Sequence, residues 1–310
     1  MKIFPKTLRV GIIANTKKYN VLNFLIDFLV SNQNKNRKFI LGKATFDFLK
    51  ESLKKNHLIK FVHKSDENRF KNKIDLLLSL GGDGTMLYSA QYAISADALL
   101  VGVNFGKLGF LADVPFTELN SVLDEIENGE YEVEEKLLLE GKVIGKNIQK
   151  FIALNDIVIE KGSWSRIIEI NTWVNKNFLT TYRSDGLIIS TPTGSTGYSL
   201  SAGGPIVLPE TDVIVLSPIC PHTLTVRPIV IPAETEIEIE AHSGYETITI
   251  NHDGQNVYKF PPPVRMKIIR SPKKLKHLKR KNKDFFLTLR EKLMWGMDIR
   301  EKHNYQKENL

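Results

Sequence analysis

The sequence predicts an α/β amino-terminal domain built on a parallel sheet, followed by an all-β sandwich. Three observations predict this. The 310 residues are too many for one average domain and suit two. In the first third, apolar strand-like runs alternate with segments of helical spacing, the pattern of βαβ units. From Tyr131 onward, short β-branched or alternating runs recur between Gly, Pro and Asn, the pattern of a sandwich. The boundary falls near Gly129, with residues 1–129 in the first domain and 130–272 in the second.

The elements follow in order. Leu8 to Asn15 is an apolar β-rich run, and Val21 to Val30 repeats at helical spacing. Leu58 to Val62 reads as a short strand. Ile74 to Leu80 reads as a buried strand ending in glycines. Met86 to Ile94 reads as helix, Leu99 to Val103 as strand, and Phe116 to Ile126 as helix before the stop at Asn128-Gly129. The sandwich strands begin at Leu137 to Ile144, Phe151 to Glu160, Ile167 to Val174 and Leu187 to Thr191. They continue at Val213 to Leu216, Ile229 to Ile231, Ile237 to Ile239 and Thr247 to Ile250. Pro261-Pro262-Pro263 is a stiff break, Phe285 to Trp295 an amphipathic helix, and the last ten residues a polar, frayed end.

Composition narrows the classes. The apolar fraction of 42% and charged fraction of 25% are those of a globular protein. The single cysteine, Cys220, excludes a disulfide framework, and no Cys/His spacing reads as a zinc site. No window is apolar for about 18 residues, so no membrane span is expected, and the expected compartment is the cytoplasm. Net charge is +8, and most of the excess sits in Lys273, Lys274, Lys276, Lys279, Arg280, Lys281 and Lys283. That stretch suits steering of anionic substrates or nucleic-acid binding, but it lacks interleaved aromatics, and the favoured reading is a solvated linker face.

Gly81-Gly82-Asp83-Gly84-Thr85 follows a buried strand and precedes a helix. Ligands of open α/β sheets bind beyond the carboxyl ends of the strands. Glycines there let the backbone approach a phosphate and take positive φ, while the helix N-terminus attracts anions. No Gly-Lys-Ser/Thr follows, so this is not a Walker A loop, and Met86-Leu87 replace the third glycine of a dinucleotide fingerprint. A carboxylate inside a phosphate nest suits a Mg²⁺-linked group, a general base for an attacking hydroxyl, or both. The alternative is a plain strand-to-helix turn with Asp83 as N-cap.

The second signal runs from Asp185 to Gly204. Ser190, Thr191, Thr193, Ser195, Thr196, Ser199 and Ser201 supply hydroxyls among glycines, and no Lys or Arg occurs from Ser184 to Pro218. Such a block suits uncharged groups: adenine, ribose hydroxyls or an amide. Tyr198 adds a ring to stack and a phenol to hydrogen-bond. The alternative is a flexible Gly/Ser linker. No GxSxG elbow is present. Asn155-Asp156 interrupts an apolar run and suits either paired ribose hydroxyls or a strand bulge or turn. Gly106 to Leu111 lies at another strand's carboxyl end, and Arg166 and Arg183 are candidate phosphate or carboxylate partners.

Together these motifs resemble the NAD kinase family. Gly81 to Thr85 matches its GGDGT signature, and Asn104 to Asp113, Leu154-Asn155-Asp156 and Arg183 to Val207 follow in family order. Pro221 to Leu224, Arg227-Pro228, Asp253-Gly254-Gln255 and Phe286 to Gly296 continue the match. The GGDGT signature is shared with diacylglycerol and sphingosine kinases; the Arg183 to Val207 block is what separates this chain from them. Asp156 stands where many members have Glu, and the lysine-rich insert is longer than the family pattern.

The resemblance implies a Rossmann-like first domain to which residues 273–310 return, and homodimers or homotetramers in which a neighbour contributes to the NAD site. It implies transfer of a phosphoryl group from ATP, or polyphosphate, to the 2′-hydroxyl of NAD's adenosine ribose, with a divalent metal, Mg²⁺. Asp83 matches the catalytic aspartate, taking the hydroxyl proton directly or through the Mg²⁺ environment. Gly82 and Gly84 match phosphate contacts. Asn155 and Asp156 match residues on the adenosine, Phe110, Thr196, Gly197, Tyr198 and Ser201 match the adenine-side pocket, and Thr193, Ser199 and Leu200 are further nucleotide-binding candidates of the same block. Asp185, Arg166, Arg183 and Gln255 match other NAD contacts. Two rival expectations remain at this point: a lipid kinase sharing the loop, and a non-catalytic nucleotide-binding regulator.

Overall fold

The computed structural model describes residues 7–106, 109–145, 149–162, 166–280 and 284–296. The first six residues, Lys107 and Leu108 of the second loop, Lys281 and Lys283 of the basic stretch, and the last ten residues lie outside the described residues. The chain divides into two compact units, Met1–Glu134 with Lys276–Leu310, and Glu135–Leu275.

The first unit is α/β. Its chain runs β1 (Leu8–Ala14), α1 (Tyr19–Ser31), β2 (Arg37–Gly42), α2 (Lys43–Lys55), β3 (Val62–Ser65), β4 (Leu76–Gly81), α3 (Asp83–Ala96), β5 (Leu99–Asn104), β6 (Val114–Pro115), α4 (Leu119–Glu127) and β7 (Glu132–Lys136). The sheet order is β3-β2-β1-β4-β5, with β6 also paired to β5, and the pairings among these six strands are parallel. The chain leaves β1 in one direction and returns to β4 on its other side. That reversal is the topological switch point, where open α/β sheets bind ligands at the strands' carboxyl ends. Asp83 begins α3 there, directly after β4.

Each helix buries one stripe. In α1 the buried residues are Val21, Leu22, Leu25, Phe28 and Leu29; in α4 they are Leu119, Val122, Leu123 and Ile126. α3 instead buries small side chains, Ser89, Ala90 and Ala93, beside Met86, and the Ser89 hydroxyl meets that of Ser79 on β4 at 3.0 Å. The buried Arg37 guanidinium closes the amino end of the sheet. It donates to Glu127 at 2.7 Å and 2.8 Å, to Asp124 at 2.5 Å and to the Asn32 side chain at 2.6 Å.

The sequence reading needs correction in this unit. The strand expected at 58–62 begins at Val62, and Leu58 packs in the turn before it. β2 and α2 went unread, because the polar run from Gln33 to Lys38 hides a strand whose only apolar residues are Phe39, Ile40 and Leu41. The lysine-rich stretch is no linker. Leu275–Lys279 form β20, the last strand among the described residues, between β5 and β7 in the same sheet, with Leu275, His277 and Leu278 buried. Several of its described cations are paired: Lys274 with Glu135 at 2.5 Å, Lys276 with Asp97 at 2.6 Å, and Arg280 with Glu118. Helix α6 (Phe285–Leu293) follows, with the Asp284 side chain capping it by accepting from the Phe286 N–H at 2.8 Å.

The second unit is a sandwich of two six-stranded sheets. One holds β12 (Asn177–Ser184), β11 (Ile168–Val174), β16 (Ile237–His242), β19 (Val264–Arg270), β8 (Leu139–Ile144) and β9 (Gln149–Ala153), in that order. The other holds β15 (Ile229–Pro232), β14 (Val213–Ile219), β13 (Gly186–Ser190), β10 (Asp156–Glu160), β17 (Ile248–His252) and β18 (Asn256–Phe260). Every pairing is antiparallel. Alternating residues such as Ile168 and Ile170, Ile237 and Ile239, and Ile157 and Ile159 fill the core. The three prolines at 261–263 join β18 to β19, so they turn the chain from one sheet to the other within the unit. Strands β12, β18 and β19 went unread beside them.

Candidate active site

In the first unit the site begins with the strand-to-helix turn. Gly81 cannot carry a side chain, because a Cβ there would strike the Thr85 hydroxyl. A Cβ on Gly82 or Gly84 would meet nothing within 4 Å, so bare backbone faces open space on both sides of Asp83. Contrary to expectation, none of these glycines takes positive φ; Gly82 is extended and occupies the N-cap position itself.

Asp83 is therefore not the cap of its own helix. Its carboxylate reaches across to the Gly109–Ala112 loop between β5 and β6. Oδ1 accepts the N–H groups of Leu111 and Ala112, and Oδ2 that of Phe110, all at 3.1 Å. The loop is tightened by a Gly109 N–H to Ala112 carbonyl bond at 3.1 Å, and a Cβ on Gly109 would strike Asp83 Oδ1. From α6, the Lys292 ammonium donates to Oδ2, also at 3.1 Å. Burial alone would raise the Asp83 pKa. The Ala112 and Leu111 N–H groups and the Lys292 charge outweigh it, so the carboxyl stays below its ordinary range. Behind the loop, the buried His277 ring on β20 meets the Leu111 carbonyl at 3.1 Å through Nε2, with Glu134 at 3.9 Å from Nδ1.

In the second unit the polar pair marks a corner, not a bulge: β9 ends at Ala153, β10 begins at Asp156, and Leu154 and Asn155 turn between them. Asp253, in left-handed backbone at φ 53°, pins that corner. Its carboxylate accepts the N–H groups of Leu154, Asn155 and Asp156 at 2.9, 2.6 and 3.2 Å. Burial pushes the Asp156 carboxyl up to about 7, with the Asp253 charge adding to it, and burial pushes Asp253 up to about 6 against its three N–H bonds. The Asn155 side-chain Oδ1 is buried with no hydrogen-bond partner among the described residues. A native protein leaves few such groups, so this oxygen suits a donor from a ligand.

The hydroxyl-rich block wraps this corner, and its buried hydroxyls are taken up by bonds that fasten it to its surroundings. Ser190 and Thr191 donate to the carbonyls of Asn155 and Leu154 at 3.3 and 2.6 Å. Ser195 donates to Pro192 and accepts from the Val207 N–H, and the Ser199 hydroxyl meets that of Ser217 at 2.9 Å. All four are buried, so these hydroxyls shape the block. A Cβ on Gly194 would strike the Asn155 carbonyl, which lets the block lie flat on the corner. Thr193, Thr196, Gly197 and Leu200 are partly exposed, and Tyr198 and Ser201 exposed. The Tyr198 phenol pKa is raised, first by burial and then by the charges of Glu160, Cys220, Asp156 and Asp185.

The other sequence candidates scatter. Arg183 stands opposite Glu169 in register and pairs with it at 2.9 Å on the outer face of its sheet. Asp185 pairs with Lys161 at 2.7 Å, so folding brings a cation to a block that has none in its own sequence. Arg166 and Gln255 are exposed, ahead of β11 and in the β17–β18 turn. Asp253, Lys161, His277 and Lys292 were not read as site residues, although Asp253 and Lys292 lie in segments that carry the family resemblance. Among the described residues no group of three or more His, Cys, Asp or Glu is placed to hold a metal ion, and no helix is long and apolar enough to cross a membrane.

Two family models match this chain: the ATP-NAD kinase N-terminal domain over residues 10–131 and the ATP-NAD kinase C-terminal domain over residues 154–280. Among curated relatives, an NAD kinase of Geotalea daltonii is 39% identical over 261 residues, 84% of this chain and 91% of the relative. An NAD kinase of Bacteroides fragilis is 42% identical over 254 residues, 82% of this chain and 86% of the relative. Among solved structures, yeast NADH kinase complexed with NADH superposes with a TM-score of 0.86 at 24% identity, covering 94% of this chain and 89% of that one. An NAD kinase from Archaeoglobus fulgidus in complex with ATP gives 0.66 at 23%, covering 92% and 99%. Both share the α/β-plus-sandwich fold.

Proposed function

Since this chain belongs to the NAD kinase family and phosphorylates the 2′-hydroxyl of NAD's adenosine ribose, we propose that Asp83 accepts the proton of that hydroxyl. The family match sets aside the lipid-kinase and regulator readings. The observation that carries the assignment is the Asp83 carboxylate, anchored by three backbone N–H groups at the sheet's switch point.

The chemistry balances simply. The 2′-oxygen forms a bond to the donor's γ-phosphorus, the bond from that phosphorus to the β–γ bridging oxygen breaks, and the hydroxyl proton passes to Asp83. A carboxyl held below its ordinary range is a weak base. Phosphoryl transfer tolerates this, because its loose transition state places little demand on proton removal until late. Asp83 then acts chiefly by orienting the hydroxyl, and the fixed N–H groups keep it from turning away.

Gly82 and Gly84 offer bare backbone to the donor phosphates. In the second unit Asn155, whose Oδ1 has no partner among the described residues, and Asp156 hold the adenosine, with Thr193, Thr196, Gly197, Tyr198, Leu200 and Ser201 as nucleotide contacts and buried Ser199 shaping the block; in the first unit Phe110 is a further nucleotide contact. Asp185, Arg166, Arg183 and Gln255 are proposed as further NAD contacts. A divalent ion, Mg²⁺, would neutralise charge on the donor phosphates; with open space beside Gly82 and Gly84, the Asp83 carboxylate is the residue that would help hold it. The same reading gives the cytoplasm as compartment, a homodimer or homotetramer as assembly, and ATP or polyphosphate as donor.

The test is NADP⁺ formation from NAD⁺ and MgATP by wild type and Asp83→Asn. The variant is expected to lose about 10²- to 10⁴-fold in kcat, the usual range for a general base. Full activity in the variant overturns the assignment. Crossing NAD⁺ and NADH with ATP and polyphosphate in the same assay fixes donor and acceptor.

A further inference from the structure

We infer that Lys292, on the last turn of α6, contacts the transferred phosphoryl group while remaining paired with Asp83, and so lets a carboxylate and a phosphate occupy one site. This inference rests on the reading of Asp83 as the proton acceptor.

The pair is not there for stability. Asp83 and Lys292 leave 28% and 31% of their side chains exposed, and an ion pair still open to solvent adds little to stability. Nor is Lys292 needed to hold the carboxylate, which three backbone N–H groups already fix. What Lys292 adds is a positive charge beside the one anion that the reaction must bring next to a triphosphate.

Its geometry suits that task. An ammonium has three N–H donors, and among the described residues one goes to Asp83 Oδ2. The others are free to meet phosphoryl oxygens. Lys292 also lies 6.0 Å from the centre of the Phe110 ring, which gives the side chain a wall to rest against. The helix behind it is anchored: Thr288 and Leu289 are buried, Phe285 packs on Phe110 at 5.9 Å, and Asp284 caps the start. Beside the carboxylate, the space next to Gly82 and Gly84 is open, so an anion can approach. A cation bridging carboxylate and phosphoryl removes the repulsion between them and stabilises charge that grows on the phosphoryl oxygens.

The test uses the full chain with Lys292→Met, Lys292→Gln and Lys292→Arg. Steady-state rates are measured with ATP varied at saturating NAD⁺ and the reverse, ATP binding without NAD⁺ is measured by calorimetry, and thermal melts check folding. Losing one charged donor is expected to lower kcat/KM for ATP by about 10- to 100-fold in the Met and Gln variants. ATP binding weakens, the KM for NAD⁺ holds, and Arg restores most of the loss. Unchanged ATP kinetics and binding in both neutral variants overturn the inference, as does an equal loss for ATP and NAD⁺, which marks a merely structural role. Should Asp83→Asn prove fully active, the base assignment falls, and ATP calorimetry on the Lys292 variants still decides the phosphate contact.

Discussion

The Asn155 backbone N–H and the Asp253 carboxylate lie 2.6 Å apart, across 98 residues of sequence. The same carboxylate takes the N–H groups on either side, so one side chain fixes three consecutive residues. Asp83 does the same to Phe110, Leu111 and Ala112 in the other unit. In both, a carboxylate distant in sequence fixes the backbone of a loop.

Asp253→Asn tests the first clamp. The substitution turns one acceptor oxygen into an N–H₂ that faces backbone donors, leaving buried N–H groups unpaired at about 1–3 kcal/mol. The KM for NAD⁺ is expected to rise about tenfold, with the thermal midpoint lowered. An unchanged KM with a lowered midpoint would show that the corner stabilises the sandwich without serving NAD.

The Asp156–Asp253 pair sets a pH dependence of stability. Both carboxyls titrate above their ordinary value when folded, at about 7 and about 6. Their contribution is fully present below the unfolded value of about 4 and is lost as pH rises through about 6 to 7. Asp83, held low, works the opposite way, its contribution being lost as pH falls below the ordinary range. Melting wild type and Asp156→Asn between about pH 5 and pH 8 separates the two. The variant is expected to lose less stability as pH rises; identical slopes would refute the pair's role.

His277 supports the second clamp from behind. In His277→Leu the Leu111 carbonyl loses its ring donor, and the loop that fixes Asp83 loosens. A fall in kcat of about tenfold, with both KM values nearly constant, is the expected result, since small misplacements of a reacting group are costly. His277→Gln, which keeps a donor, is expected to lose less. Gly109→Ala pushes a methyl group into Asp83 Oδ1 and is expected to lose more than either. KM values rising while kcat holds would assign the loop to binding instead.

Much of the fold was legible. The buried runs at β1, β4 and β5 and the amphipathic stripes of α1 and α4 stand out because burial on one face writes a period into the sequence. Strands whose apolar residues are few were not. β20 reads as LKHLK, and its lysines hide Leu275, His277 and Leu278, which enter the sheet only because a parallel neighbour, β5, lies at the right place. Hydroxyls such as Ser190, Thr191, Ser195 and Ser199 were legible as a block, but not as groups already bonded within the fold, since their partners are set by how the block folds onto Asn155, Val207 and Ser217.

By itself, then, the sequence determined which chemistry the chain carries: a carboxylate among glycines after a buried strand, an amide-carboxylate pair, and a hydroxyl-rich block in family order. Only the tertiary structure decided what surrounds each of these. It brought Lys292 to Asp83 across 209 residues, His277 behind the loop that holds Asp83, Asp253 under Asn155 and Lys161 to Asp185. Local order leaves a period that can be read along the chain. A hydrogen bond or ion pair between distant residues leaves none, because its two halves are joined only when the backbone has already folded.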